Sequence, residues 1–219
     1  MSATIRRWRT FAVATVSLGF AVCIAATAGC SRAKSALDPY ATATLTAGTG
    51  LGDLRLGETT FGAFLAKFGP GLLSVVVGDE TAWEATFEHG QMSFLFVLTG
   101  DCQQKAAGTR VPAGPAVQAF LASHPECRDT PLTSISVAKP FFKGKTDQGV
   151  ALGAPITATS AHGEAVSLPG RLVAGQSARN ASERIEYTSG IWFLYDPAPS
   201  GKPEDAIINR ITIFLPDAK

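Results

Sequence analysis

The chain has 219 residues, 46% hydrophobic and 17% charged, a composition that excludes a disordered protein and allows one large domain or two small ones. Its formal net charge of +1 conceals an asymmetry, because Arg6, Arg7 and Arg9 lie in a first stretch that contains no acid. Without those three arginines, 16 basic residues face 18 acidic ones. The remainder therefore lacks the basic field of a nucleic-acid-binding protein.

Residues 1–29 have the layout of an export signal, in which a basic start is followed by apolar and small residues. The end of this run, Thr27-Ala28-Gly29-Cys30, resembles the lipobox of bacterial lipoproteins, although that family usually has leucine where Thr27 stands. The resemblance implies cleavage before Cys30 and a lipid on Cys30 that anchors the protein to a membrane of the cell envelope. Two alternatives are cleavage after Ala28, which releases a soluble protein, and an uncleaved helix just long enough to span a bilayer.

Each of these alternatives places the rest of the chain outside the cytoplasm, and this location decides how the cysteines are interpreted. Cys23 leaves with the signal and Cys30 carries lipid, so Cys102 and Cys127 remain as one pair. An oxidising compartment predicts a disulfide between them. A redox-active thiol pair is the alternative, but such pairs usually have C-x-x-C spacing, which is absent.

Residues 30–142 are predicted to form a tether and a first folded unit. Residues 30–50 are small, polar and aperiodic, which predicts a lipidated tether. A first unit over 51–142 begins with a helix whose apolar stripe is Phe61, Phe64, Leu65 and Phe68, with Thr59 as N-cap and Gly69 as its end. Trp83–Leu98 predicts a β-hairpin that turns at Gly90, followed by an inserted helix near Pro115 and a strand over Leu132–Val137.

A second unit over 143–219 repeats these landmarks in the same order. Leu152-Gly153 answers Leu56-Gly57, a short element ends at Gly163, a hairpin turns at Gly190, and Ile207–Phe214 is the last strand. The predicted fold class is α+β, with two tandem small units that each pack a helix on an antiparallel sheet.

The repeated unit resembles the small domain of the SmpA/OmlA outer-membrane lipoproteins, and its doubled form is similar to the tandem arrangement of the β-lactamase inhibitory protein. The residues that carry this resemblance are Leu56-Gly57, Gly69, Gly90, Ile135-Ser136-Val137, Leu152-Gly153, Gly163, Gly190 and Ile211-Thr212-Ile213. The inserted segment between Thr99 and Pro131 departs from the pattern. The resemblance implies a binding module whose helices cover one face of a sheet and whose other face binds a partner protein.

Apolar residues occupy both faces of the predicted hairpin strands. Met92, Phe94 and Phe96 share one face of the first strand, and Trp192 and Leu194 share one face of the corresponding second strand. We predict that these five residues form an apolar face for an unidentified protein partner. The alternative is that the inserted segment, residues 99–131, covers the second face.

The sequence shows no recognisable catalytic, metal or cofactor motif. His89, His124 and His162 are too scattered for a zinc site made by the protein alone, and no G-x-S-x-G nucleophile motif occurs. The function expected is therefore a non-catalytic protein-binding or envelope-assembly module. One alternative is an inhibitor of a secreted enzyme. Another is an enzyme whose pocket is built from residues distant in sequence, with His162 and a buried carboxylate in a cleft.

Overall fold

A computed structural model of the chain describes residues 36–69, 72–77, 81–108, 115–166, 183–196, 198–200 and 202–216. Its α-helices are α1 (Phe61–Phe68), α2 (Gly100–Gly108) and α3 (Pro115–Ser123). Its strands are β1 (Thr44–Thr46), β2 (Gly50–Leu51), β3 (Leu54–Arg55), β4 (Leu72–Val77), β5 (Thr81–Phe87), β6 (Met92–Val97), β7 (Ser134–Ala138), β8 (Lys145–Thr146), β9 (Ala165–Val166), β10 (Glu183–Tyr187), β11 (Ile191–Asp196) and β12 (Ile207–Phe214). Short 3-10 helices cover Asp38–Thr42, Glu88–Gly90, Pro125–Asp129, Ile156–His162 and Pro203–Asp205. The α+β class is confirmed.

The main sheet has eight strands in the order β4-β5-β6-β7-β12-β11-β10-β9, and every neighbouring pair is antiparallel. β4 to β7 form one meander and β9 to β12 form another. The two meanders meet where β7 pairs with β12 along five residue pairs, from Arg210 opposite Ala138 to Phe214 opposite Ser134. The structure therefore has one continuous sheet where the sequence predicted a sheet for each unit.

Helix α1 packs three phenylalanines against the first meander. Thr60 caps its start by accepting a hydrogen bond from the Ala63 N–H, and Gly69 ends it at φ 75°, so Thr60 and not Thr59 is the N-cap. Phe61, Phe64 and Phe68 are each at most 1% exposed. They contact sheet aromatics on one face: the Phe64 ring lies 4.7 Å from that of Phe94, and Phe61 stacks 5.8 Å from Trp83. Such aromatic pairs add about 0.5–1.5 kcal/mol each to the burial itself.

The inserted segment thickens this same helical layer. The predicted α3 begins at Pro115, whereas α2 was not predicted because its face is polar apart from Ala106. The Phe120 ring of α3 lies 5.4 Å from that of Trp83. Cys102 and Cys127 are joined by a disulfide, with Cα atoms 5.7 Å apart, and Cys127 is fully buried.

Residues 36–50 do not form the predicted tether. Leu37 and Leu45 are fully buried and Tyr40 is 5% exposed, because this segment folds onto the helical side of the molecule. β1 pairs with β2 and, in parallel, with β8, which gives a second sheet of order β3-β2-β1-β8. β8 lies in the segment predicted as the boundary near residue 143, so that boundary segment is paired with β1.

Two hairpin glycines, Gly90 and Gly190, have the same backbone conformation but different surroundings. They provide a matched test of how closely the second hairpin turn approaches β12. Gly90 has φ 81° and Gly190 has φ 83°. A Cβ at Gly190 would lie 2.5 Å from the Phe214 carbonyl oxygen, whereas a Cβ at Gly90 would meet nothing within 4 Å.

We expect Gly90→Ala to lower the free energy of unfolding by about 1–3 kcal/mol, the cost of an unfavourable φ. Gly190→Ala should lower it by roughly 1–3 kcal/mol more, because the Phe214 backbone must also move. Urea unfolding of both variants measures the difference. Equal losses would contradict the close approach of Gly190 to β12.

Candidate functional site: the second face of the main sheet

The register of the main sheet separates a covered face from a second face. One row crosses the sheet through Phe94, Ile135, Ile213 and Ile191, all fully buried beneath the helices. The next row crosses through Ser93, Ser136, Thr212 and Trp192 and points the other way. We call this second surface the open face; it is formed by Ser93, Leu95, Val97, Ser134, Ser136, Arg210, Thr212, Phe214, Trp192 and Leu194.

The predicted partner face is corrected by this register. Met92, Phe94 and Phe96 are fully buried under α1 and cannot contact a partner, whereas Trp192 and Leu194 are half-buried on the open face. The reason is the turn length: residues 88–91 join β5 to β6, but only residues 188–190 join β10 to β11. Phe94 is therefore equivalent to Phe193 and not to Leu194, and a shift of one residue in a strand exchanges the two faces.

The inserted segment does not cover the open face. Phe120 and Leu121 belong to the same buried cluster as α1, on the covered side of the sheet. Leu95 and Val97, which point away from that cluster, are only half-buried. The alternative that residues 99–131 cover the second face is therefore wrong for the part of the insertion that the structure describes.

A cation lies over the aromatic ring on the outer part of the open face. The Arg184 guanidinium carbon lies 4.8 Å from the centre of the Trp192 ring, a cation–π distance. Arg184 also forms an ion pair with Glu186, the residue opposite Trp192 on β10. The positive charge here is thus compensated within the same strand.

The centre of the open face is polar and lies at the junction of the two meanders. The Thr212 hydroxyl donates to Ser136 Oγ at 2.9 Å, and Arg210 Nη1 donates to the same oxygen at 3.1 Å. Arg210 Nη2 lies 3.4 Å from the Gly90 carbonyl oxygen. Thr212 and Ser136 are 4% and 8% exposed, so their short side chains lie below the half-buried Arg210.

His162 is part of a buried hydroxyl cluster on the other side of the sheet. Its Nε2 lies 3.0 Å from Thr146 Oγ1, and its ring packs 5.3 Å from that of Phe193. Nearby, the Tyr187 hydroxyl lies 2.6 Å from Thr159 Oγ1, which itself donates to the Ile156 carbonyl. Burial lowers the pKa of His162, and the charge of Asp147 opposes that shift in part.

The surroundings of His162 suit a core histidine better than a catalytic base. Its hydrogen-bond partner in the described structure is Thr146, whose hydroxyl already accepts the Val150 N–H and so can donate to a neutral imidazole. A triad would instead place a carboxylate against the second ring nitrogen. A separate group of possible metal ligands, Cys102, Glu126 and Cys127, has both sulfurs in the disulfide.

Two sequence predictions concern residues 1–35, which lie outside the described part of the chain: the export signal and the lipid site at Cys30. The longest α-helices of the described segments have nine residues, and none of them could span a lipid bilayer.

Comparison with models of known protein families, with curated proteins and with solved structures finds no match to this chain.

The depressed pKa of His162 predicts that stability falls in mild acid. Its pKa in the folded state lies below the unfolded value of 6.5, so the unfolded chain binds the proton more tightly. The stability that neutral His162 provides is complete above pH 6.5 and is lost as the pH falls through the folded pKa.

We expect His162→Gln to reduce the loss of unfolding free energy between pH 7.5 and pH 5, because glutamine does not titrate there. Urea titrations at both pH values give the measurement, and His89→Gln, at an exposed turn, is the matched control. If the wild type and His162→Gln lose the same stability, protonation of His162 does not limit the fold.

Proposed function

We propose that this chain is an exported, lipid-anchored, non-catalytic protein that binds another protein on the open face. The observation that carries the proposal is the one-sided covering of the main sheet. All described helices that join the buried cluster pack on the Phe94 side, while Leu95, Val97, Trp192, Leu194 and Phe214 on the other side are half-buried. An eight-stranded sheet with apolar and aromatic residues left on its second face is typical of a protein-binding surface.

We also infer that the two meanders arose by duplication of one unit. Three long-range backbone hydrogen bonds recur at equivalent places. Each joins the chain around the start of β7 or β12 to the chain around the start of α1 or of the Ile156–His162 helix. The bonds are Gly57 N–H to Leu132 O, Phe61 N–H to Thr130 O and Leu132 N–H to Thr59 O in the first half, and Gly153 N–H to Ile208 O, Ile156 N–H to Ala206 O and Ile208 N–H to Ala154 O in the second.

The matched glycines support the same inference. Gly57 and Gly153 have φ 79° and 84°, and Gly69 and Gly163, which end the two helices, have φ 75° and 96°. Positive φ angles favour glycine, so the same backbone conformation in both halves explains why glycine recurs at these positions. This arrangement is the reason that we retain kinship with the SmpA/OmlA lipoproteins and the β-lactamase inhibitory protein as a proposal.

A location outside the cytoplasm is supported by the cysteines. Disulfides persist in oxidising compartments and are rare in the cytosol, and Cys102 and Cys127 lie at bonding distance. The lipobox-like Thr27–Cys30 then places the anchor on Cys30. With residues 36–50 folded, at most residues 31–35 separate that lipid from the domain, so the domain lies close to the membrane.

The lipid anchor is tested by labelling cells with a fatty-acid analogue. We expect Cys30→Ser to abolish labelling, because Cys30 supplies the acceptor sulfur. Cys23→Ser is the matched control and should label as the wild type does. Equal labelling of the wild type and Cys30→Ser would refute the anchor.

An inhibitor of a secreted enzyme is a second candidate function. It is favoured by the fact that the open face crosses both meanders, from Leu95 and Val97 to Trp192 and Leu194, because such a wide surface can cover the mouth of an active site. Release of the mature protein from the cell without a lipid would support this candidate over envelope assembly.

Protein binding on the open face is tested with a photo-crosslinking amino acid placed at Leu194 or Leu95 in the producing cell. We expect a discrete protein adduct from both positions and none from Gln118, an exposed residue of α3 on the covered side. Trp192→Ala should lower the yield at Leu194 about tenfold or more, since buried tryptophans dominate interface energies. Similar adducts from Gln118 and Leu194 would contradict a dedicated face.

A further inference from the structure

Arg210 is the charged residue nearest the centre of the open face. On β12 it lies opposite Leu194 of β11 and opposite Ala138 of β7, at the junction of the two meanders. Its side chain is half-buried, so its charge is partly withdrawn from water. A partly desolvated guanidinium is favourable when a counter-ion or several acceptors neutralise it.

The described structure gives Arg210 acceptors without negative charge. They are the Ser136 hydroxyl at 3.1 Å and the Gly90 carbonyl at 3.4 Å. The ion pairs within the described segments are Lys67–Asp53, Lys105–Glu126, His124–Glu126 and Arg184–Glu186, and none includes Arg210. A guanidinium has five N–H donors, and these two bonds use two of them.

The sequence limits which of the chain's own carboxylates could complete the pairing. The acids outside the described residues are Asp79 and Glu80, between β4 and β5 in sequence, and Asp217, which follows β12; the 167–182 segment contains none. On the open face itself, Glu186 is two strands away from β12 and is already paired with Arg184. Glu84 on β5 is three strands away, about 14 Å at the usual strand spacing.

Apolar residues of β11 lie beside the Arg210 guanidinium on the open face. Leu194 is its cross-strand neighbour, and Trp192 lies one step further along β11. On the opposite side, the Ser136 hydroxyl of β7 accepts a hydrogen bond from the guanidinium and another from the Thr212 hydroxyl. A planar, pre-oriented guanidinium matches a carboxylate in a two-bond geometry, and arginine beside tryptophan is the composition of an interface hot spot.

We propose that the open face binds a loop of a partner protein that presents one Asp or Glu carboxylate to Arg210, with apolar residues beside it that cover Trp192 and Leu194. This inference rests on the proposed protein-binding function and specifies the chemistry of the partner. Arg210 is one cation without an ion pair in the described part of the chain, which fits one acidic side chain better than an anionic lipid surface, because such a surface attracts clusters of basic residues.

The test uses the full-length chain in its producing cell, with the photo-crosslinker at Leu194 as the probe, and the adduct is mapped by mass spectrometry. We expect the captured segment to contain an Asp or Glu within a few residues of the crosslink. Arg210→Gln should lower the yield about tenfold or more, the usual effect of removing one member of a buried charge pair. Arg210→Lys, which keeps the charge and loses the planar fork, should give an intermediate loss.

Arg128→Gln is the matched control, because Arg128 is exposed on the Pro125–Asp129 helix beside α1, on the covered side of the sheet. It should change the yield by less than about twofold, because it lies away from the open face. Thermal unfolding of purified Arg210→Gln and Arg210→Lys verifies that both variants are folded. As the decisive step, Arg210→Glu should abolish capture, and replacing the mapped acid of the partner with arginine should restore it.

Several outcomes would overturn the inference. If Trp192→Ala lowers the adduct yield but folded Arg210→Gln does not, the carboxylate contact is refuted. The proposed protein-binding function would not be refuted by that result. A mapped segment without an acid, or a second copy of this chain, would refute the proposed partner chemistry. Recovery of lipid alone, or no adduct from Leu194 and Leu95, would refute both the inference and the proposed function.

Discussion

The pairing of β7 with β12 is the constraint on which the rest of the architecture depends. Its five residue pairs join two four-stranded meanders that otherwise have separate hairpins. On one side of this ladder Ile135 lies opposite Ile213 and Val137 opposite Ile211, all fully buried. On the other side Ser136 lies opposite Thr212. Because strand side chains alternate with a period of two, this single register decides for both meanders which residues enter the core.

The two halves meet at a symmetric junction but fill their cores differently. α1 and the sheet of the first half bury a cluster of phenylalanines and Trp83, and the disulfide fastens the inserted helices onto it. The second half has a 3-10 helix with His162 and Thr159 where the first has α1, and both residues are hydrogen-bonded to other polar groups. A buried neutral imidazole makes the second core sensitive to acid, because protonation would place a charge there, whereas an aromatic core contains no such group.

Strong local periodicity made some elements predictable from the sequence. The alternation over Ile207–Phe214 matches β12 in full, and the stripe from Phe61 to Phe68 matches α1. β1 has three residues and its partners β2 and β8 have two each, too few to show a period, so the burial of Leu45 could not be anticipated. Trp192 and Phe94 point to opposite faces because the turn of the second hairpin is one residue shorter than that of the first. The similar sequences of the two hairpins do not reveal this difference. The predicted face therefore combined buried residues of β6 with half-buried residues of β11.

The position of Arg210 ties the candidate binding surface to the junction itself. The guanidinium belongs to β12, but both of its hydrogen-bond acceptors, Ser136 and Gly90, belong to the first half of the chain. Its apolar neighbours Leu194 and Trp192 come from β11, in the second half. The second meander by itself places the arginine near the tryptophan, but the acceptors that orient its guanidinium come from the first meander, so the oriented guanidinium requires β7 and β12 to be paired. A site built on paired strands is held more rigidly than one built on loops, which reduces the entropy lost when a partner binds. If the chain arose by duplication, the binding surface is a property of the doubled form and was absent from the single unit.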